Sequence, residues 1–166
     1  GARSRMSQTV TNWAGNITIG AGGSGTGTGD GSVGTDTFTG VNSAAGGNLA
    51  DTYNASGFVG FNAFQGNSGN DIITGNGATQ IQFGSATSGV VVDLAAGTAD
   101  CDGSVGHDTF TGVNGVFGSD FDDTILGGAT KGFFNGGKGG NDILNGRGGK
   151  DNADRGNVTD YVGVPA

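Results

Sequence analysis

The sequence contains no glutamate, one proline and one cysteine. All fifteen acidic residues are therefore aspartate, which favours turns over helices and suits tight oxygen cages around Ca²⁺. The single proline, Pro165, excludes a collagen-like chain despite the high glycine content. The single cysteine, Cys101, permits neither an internal disulfide nor a paired-cysteine metal site. Turns, rather than helices or covalent cross-links, must therefore organise this chain.

Basic residues are missing from positions 6–130, a stretch that contains eleven of the aspartates. The net charge is −8, so a nucleic-acid partner is not expected. Bound divalent cations would reduce the electrostatic self-repulsion of such a stretch.

Long apolar runs are missing as well. No run approaches the roughly 18 residues of a transmembrane helix, so no transmembrane segment is expected. The basic start GARSR is not followed by the apolar stretch of a signal peptide. Residues 1–15 are therefore interpreted as an N-terminal tail or a cloning remnant.

Glycine is the most abundant feature that is present, with 39 of 166 residues. So much glycine makes an ordinary globular core unfavourable, because each glycine loses much backbone freedom and buries no side chain. Hydrophobic residues still reach 33%, including ten phenylalanines, which disfavours a fully disordered chain. The composition indicates a fold that needs glycine at regular turns.

A long internal repeat supports that interpretation. Residues 30–42 (DGSVGTDTFTGVN) and 102–114 (DGSVGHDTFTGVN) differ at one position and are 72 residues apart. GNDIITG at 69–75 matches GNDILNG at 140–146. The chain therefore divides into two repeat units, 16–87 and 88–160, within one continuous domain.

Each unit also contains nine-residue blocks, at 46–54 and 66–74 and at 118–126, 127–135, 137–145 and 146–154. The glycine-rich half of a block predicts a turn and the other half a short strand. The eighth position is apolar in most blocks: Tyr53, Ile73, Ile125, Phe134 and Leu144.

Stacked blocks would bury these side chains in one column, so we predict an all-β parallel solenoid. Further strands are predicted at 16–19, 36–41, 90–94 and 108–113. If alternate blocks stack, Asp51 lies on Asp71, Asp123 on Asp142, and Gly132 on Asp151.

The blocks GNSGNDIIT (66–74), GKGGNDILN (137–145) and GRGGKDNAD (146–154) resemble the RTX, or haemolysin-type, repeat GGxGxDxUx. The resemblance extends over most of residues 16–155. It implies a right-handed parallel β-helix or β-roll with Ca²⁺ between the loops of neighbouring turns. The implied ligands are sixth-position aspartates and loop carbonyls, at Asp51, Asp71, Asp123, Asp142, Asp151, Gly66, Gly118, Gly137, Gly139, Gly146 and Gly148.

By the same resemblance, the chain would be a secreted or cell-surface module that passes through type I secretion and folds on binding Ca²⁺. It would serve as a spacer, surface-layer or adhesin element, in contact with neighbouring domains or other copies of itself. The alternative is a non-catalytic accessory region of a secreted hydrolase or peptidase. We expect about one strong calcium site per unit and a weaker one near Asp151. A solenoid whose degenerate loops bind no metal remains a further alternative.

Other chemistry has weaker support, and no catalytic site is predicted. Ser104, His107 and Asp108 are too close in sequence for a catalytic triad. The aspartates follow the repeat phase, which favours a structural role over glycoside hydrolysis. GAGGSGTG at 20–27 lacks the GK[ST] of a phosphate loop. Threonine-rich segments such as TFTG and GTGTG could form an ice-binding face, but no regular T-x-T spacing runs through the sequence.

Overall fold

The computed structural model describes Thr9–Val10, residues 15–29, residues 34–154 and Val158–Val162. These ranges contain no α-helix. No helix of any kind in them is long and apolar enough to cross a membrane. The prediction of an all-β fold is therefore confirmed. The strands are β1 (Thr9–Val10), β2 (Gly15–Ile19), β3 (Gly25–Gly29), β4 (Thr35–Phe38), β5 (Ser43–Ala45), β6 (Thr52–Asn54), β7 (Asn62–Gln65), β8 (Ile72–Gln82), β9 (Val91–Asp93), β10 (Thr98–Asp100), β11 (His107–Phe117), β12 (Thr124–Leu126), β13 (Phe133–Asn135), β14 (Asp142–Asn145), β15 (Asn152–Asp154) and β16 (Val158–Val162).

The strands pair mostly in parallel, in two ladders that share the long strands β8 and β11. One ladder runs β2, β6, β8, β11, β10, β9, β12, β14, β16, and the other runs β1, β5, β7, β8, β11, β13, β15. The nine-residue blocks stack as their period predicts, since Ile73 lies opposite Tyr53 and Leu144 opposite Ile125.

The core contains the apolar eighth positions of the blocks. Tyr53, Ile125 and Leu144 have no exposed surface, and Ile73 and Phe134 are each 2% exposed. Burial of a side chain of this size stabilises the fold by about 1.5–3 kcal/mol. The prediction that this position faces inward is confirmed.

Two antiparallel excursions interrupt the parallel pairing. Strand β3 joins β2 to β4 and β10 joins β9 to β11, all through antiparallel contacts. The segments predicted as strands at 16–19, 36–41, 90–94 and 108–113 overlap β2, β4, β9 and β11. The sheet is thus mostly parallel, and it departs from the predicted parallel pairing at β3 and β10, where antiparallel strands need only a short hairpin.

The turn after β9 shows how this happens locally. The N–H of Gly97 donates to the carbonyl of Asp93 at 2.8 Å, and Gly97 has φ +72°. The Asp93 side chain also accepts from the N–H groups of Ala95 and Ala96. An aspartate at the start and a glycine at the end therefore close the turn. In the predicted tail 1–15, Thr9–Val10 pairs with β5 and Gly15 begins β2, and the other residues lie outside the described ranges.

Candidate metal centre: the stacked aspartates

Three buried aspartates stack where the neighbouring strands β6, β8 and β11 begin, in the ladder that starts at β2, which we call the first ladder. The N–H of Asp51 donates to Oδ1 of Asp71 at 2.8 Å, and the N–H of Asp71 donates to Oδ1 of Asp108 at 2.9 Å. The N–H of Gly15 donates to Oδ1 of Asp51 at 2.6 Å. We call Asp51, Asp71 and Asp108 the first aspartate stack.

A second aspartate stack, of Asp123 and Asp142, has the same geometry. The N–H of Val90 donates to Oδ1 of Asp123 at 2.8 Å, and the N–H of Asp123 donates to Oδ1 of Asp142 at 3.0 Å. On the opposite ladder, the N–H of Gly132 donates to Oδ1 of Asp151 at 2.8 Å. The structure thus brings together all three residue pairs that the repeat period predicts.

Asp108 belongs to the first stack but was not among the predicted site residues. It ends the segment GSVGHD (103–108), which keeps glycine at two positions of the G-x-x-G-x-D pattern. Its side chain is 2% exposed, as buried as those of the predicted aspartates. The G-x-x-G-x-D spacing could have predicted Asp108, but the segment lies outside the nine-residue blocks in which the pattern was sought.

The second carboxylate oxygen of two aspartates closes its own glycine-rich loop. Oδ2 of Asp51 accepts from the N–H of Gly47, and Oδ2 of Asp123 accepts from the N–H of Ser119, both at 2.6 Å. The Ser119 hydroxyl also donates to Oδ1 of Asp123 at 2.7 Å. Part of the role of these carboxylates is therefore to satisfy backbone donors that no strand pairs.

Glycine at the first position makes room for the carboxylate in blocks 46–54, 66–74, 118–126 and 146–154, and Gly136 does so for Asp142. A Cβ on Gly66 would lie 1.9 Å from Oδ2 of Asp71, and one on Gly146 would lie 2.2 Å from Oδ2 of Asp151. A Cβ on Gly118 would meet both Oδ2 of Asp123 and the carbonyl of Gly136, at 2.2 and 2.6 Å. A carboxylate oxygen and a carbonyl oxygen from the neighbouring block thus converge beside this glycine.

The other glycines predicted to offer carbonyl ligands pack against the backbone of the neighbouring loop. A Cβ on Gly137 would lie 1.7 Å from the carbonyl of Ser119, and one on Gly139 would lie 2.6 Å from that of Asp120. Gly148 packs against Ala129 in the same way. These glycines therefore allow adjacent loops to approach closely.

Burial raises the pKa values of the stacked carboxylates. Desolvation, with a smaller contribution from neighbouring carboxylates, raises the pKa of Asp71 to about 7. Desolvation likewise raises the pKa of Asp108 to about 6. The pKa values of Asp51, Asp123 and Asp142 are also raised by burial, against the opposing effect of backbone hydrogen bonds.

The described ion pairs do not involve the carboxylates of the first stack, although the charge of His107 lowers the pKa of Asp108 against the larger effect of burial. Within the described part of the chain, the ion pairs join Arg147 to Asp93 and His107 to Asp100. Oδ2 of Asp71 is buried and has no hydrogen-bond partner among the described residues. A buried carboxylate without a countercharge needs either a proton or a bound cation.

The donor set fits Ca²⁺ best at Asp71. Its partnerless Oδ2 is an unused anionic oxygen. In the neighbouring loop, the carbonyl oxygen of Gly66 and Oδ2 of Asp51 converge beside Gly46. The described residues contain no group of three or more acidic, histidine or cysteine side chains that could hold a metal. Carbonyls would therefore have to supply most of the six to eight oxygens that Ca²⁺ takes. Both carboxylate oxygens of Asp51 and of Asp123 already accept N–H hydrogen bonds, so only their remaining lone pairs could bind a metal.

The three residues weighed as a triad have separate partners. Nδ1 of His107 contacts the carboxylate of Asp100 at 2.5 Å, and the Ser104 hydroxyl donates to Asp102 at 2.8 Å. Oδ1 of Asp108 accepts from the N–H of Asp71. Each side chain is thus held by a contact outside the supposed triad.

Threonines line the outward face of the first ladder and of the strands β3 and β4 that extend it beyond β2. Their regular alignment is not visible in the sequence spacing. Strand register aligns two neighbouring rows across β4, β3, β2, β6, β8 and β11, and the first row continues onto β10. We call these rows the threonine face. The first row is Thr35, Thr28, Asn16, Thr52, Ile72, Thr109 and Thr98, and the second is Thr37, Thr26, Thr18, Asn54, Thr74 and Thr111.

No protein-family model matches the chain, and no curated protein matches it significantly.

Proposed function

We propose that the chain is a calcium-binding structural module of a secreted or cell-surface protein, coiled as a right-handed parallel β-roll. The observation that carries this proposal is the first aspartate stack. Its carboxylates are buried one above the other, and no described basic side chain forms an ion pair with them.

The energetic argument concerns the ionised state at neutral pH. An unfolded aspartate is ionised there, whereas burial in the stack raises the pKa of Asp71 to about 7. Folding without a cation must therefore bind a proton or bury a charge, and both oppose folding at neutral pH. A bound Ca²⁺ would remove this cost and add oxygen ligation that links successive loops.

The residues that would hold Ca²⁺ follow the stacks. In the first unit, Asp71 would bind together with the carbonyls near Gly66. In the second unit, Asp123 and Asp142 would bind together with the carbonyls near Gly118, Gly137 and Gly139. Asp151, near Gly146 and Gly148, would form a weaker site because Gly132 occupies the stacked position without a carboxylate.

The cellular setting follows from the affinity that such sites reach. Loops with few carboxylates bind Ca²⁺ at about 10⁻⁴–10⁻³ M, the range of extracellular modules. The module would stay poorly folded at low calcium and fold outside the cell. There it would act as a spacer, surface-layer or adhesin element, or as the accessory region of a secreted enzyme.

Calcium titration tests this proposal directly. We expect circular dichroism to show a gain of β structure when Ca²⁺ is added to protein stripped with EGTA. Calorimetry should find about one strong site per unit. Equal folding with and without Ca²⁺, with no binding heat up to about 10 mM Ca²⁺, would contradict the proposal. This concentration is above the dissociation constants of the weakest extracellular calcium sites.

The threonine face supports a second candidate function, binding to ice. Ten of its thirteen residues are threonine and none is charged, so the face presents methyl and hydroxyl groups in a lattice. Neighbouring strands lie about 4.8 Å apart and alternate residues about 6.7 Å apart, as in any β-sheet. A two-dimensional repeat on this scale matches an ordered array of water molecules better than a single soluble ligand.

A further inference from the structure

The two copies of the DTFTGVN segment have different surroundings. In the second unit, β11 pairs with β10 on one side and with β8 of the first unit on the other. In the first unit, the equivalent residues form β4 and β5. β5 pairs with β1, whereas β4 pairs with β3 and no other described strand lies on its opposite side. We call this side of β4 the β4 edge.

The contacts that cover β11 show what such an edge accepts. The N–H of Thr109 donates to the carbonyl of Asp71 at 2.9 Å, and the N–H of Asp71 donates back to the Asp108 carboxylate. The N–H of His107 donates to the Asn70 side chain at 3.0 Å. The segment GNDIIT (69–74) thus satisfies the outer edge of β11 through its backbone and two polar side chains.

The same residues lie open in the first unit. Asp36, the counterpart of Asp108, is exposed, whereas Asp108 is 2% exposed. Phe38 is partly exposed, whereas its counterpart Phe110 is 6% exposed. Beside them opens a pocket of about 150 Å³, lined mainly by apolar residues that include Ile17 and Val41.

We propose that the β4 edge is a docking surface for a preceding repeat unit of the same kind, joined in tandem. Its strand equivalent to GNDIIT would pair in parallel with β4, as 69–74 pairs with β11. The 13-residue segments 30–42 and 102–114 differ only at Thr35 and His107, so both edges offer the same groups. An open strand edge beside an apolar pocket also favours added strands on general grounds.

A tandem duplication of residues 13–87 within the full chain tests this assignment. It places the same number of residues between the added β8 and Asn16 as the chain has between β8 and Val91. We expect hydrogen exchange at the Thr37 amide of the second copy, which follows the added β8, to slow at least about tenfold relative to the parent chain. Unchanged exchange at this second Thr37 in a folded three-unit protein would overturn the proposal.

Two matched substitutions separate docking from general stabilisation. Asp36→Ala should lower the melting temperature of the three-unit protein and leave that of the parent chain unchanged. Asp108→Ala should lower it in both, because the contact of Asp108 with the Asp71 amide is present in both. An equal effect of Asp36→Ala in both proteins would overturn the proposal.

Analytical ultracentrifugation of the parent chain distinguishes the source of the docked strand. A monomer at all concentrations agrees with a covalently joined unit. Self-association that Asp36→Ala abolishes would identify a second copy as the occupant and overturn the tandem assignment. All these measurements are made at fixed Ca²⁺, so they are independent of calcium binding.

Discussion

The amide of Asp51 donates a 2.8 Å hydrogen bond to the carboxylate of Asp71, twenty residues further along the chain. The carboxylate takes the place of a strand carbonyl, at the point where each block changes from turn to strand. The same contact recurs between Asp123 and Asp142 and between Asp71 and Asp108. The aspartates therefore fix the register of neighbouring blocks, whatever else they bind.

Removing one negative charge at Asp71 separates the structural role from the metal role. In Asp71→Asn the amide oxygen can still accept from the N–H of Asp51, but the anionic Oδ2 is lost. We expect metal-free stability at pH 8 to stay equal or rise, and stabilisation by Ca²⁺ to fall. Melting curves with EGTA and with about 5 mM Ca²⁺, a concentration above the roughly 10⁻⁴–10⁻³ M range of extracellular modules, measure both effects.

Asp36→Asn is the matched control, because Asp36 is exposed and lies outside both aspartate stacks and their loops. It removes the same charge without touching a buried carboxylate. A loss of calcium stabilisation in this variant equal to that of Asp71→Asn would mean that Ca²⁺ acts only through net charge.

The raised pKa values predict an unusual dependence of metal-free stability on pH. Burial raises the pKa of Asp71 to about 7 and that of Asp108 to about 6, from the usual aspartate value of 3.8. The folded state therefore binds more protons than the unfolded state between these values. The stability that these two groups contribute should be greatest near pH 4 and fall as the pH rises to about 7.

Thermal unfolding in EGTA across pH 4–8 measures this dependence, and Asp71→Asn should flatten it. Ca²⁺ should reverse the trend, because it competes with protons for the same carboxylates. A melting temperature that rises steadily from pH 4 to pH 7 in EGTA, with the same slope in Asp71→Asn, would refute the assignment.

The block pattern predicted much of this architecture because its signals are local. An apolar eighth position such as Ile125 and a sixth-position aspartate such as Asp123 recur at a fixed spacing, so stacking follows from the period. The hairpins around β3 and β10 were missed because their turns interrupt that period. The threonine face was missed for the same reason: Thr18 and Thr26 become neighbours only through antiparallel pairing.

The glycines beside the carboxylates should tolerate no side chain. Gly118 has no positive φ, so Gly118→Ala tests space alone, and its Cβ would lie 2.2 Å from Oδ2 of Asp123. We expect a loss of about 1–3 kcal/mol in the free energy of unfolding, the usual cost of overpacking. Gly103→Ala is the control, because nothing lies within 4 Å of its Cβ. Equal denaturation midpoints for the two variants would show that the glycine and the carboxylate do not touch.

The threonine face can be tested on the physical surface that it is proposed to bind. We expect the folded protein to shape ice crystals and to lower their growth temperature below the melting point. Thr109→Tyr places a bulky ring in the first row, next to Ile72, and should abolish both effects without changing the melting temperature of the protein. Thr87→Tyr, exposed but outside the rows, should leave them intact.

Ordinary growth of ice in the presence of the unaltered protein would eliminate this second function. Loss of ice shaping in Thr109→Tyr alone would instead tie the effect to the aligned rows. That result would show that the strand register creates the binding face, because Thr109 and Thr52 flank Ile72 in one row although 57 residues separate them in sequence. Asn16 and Asn54 interrupt the rows as well, so Asn54→Thr should extend the second row and strengthen the effect.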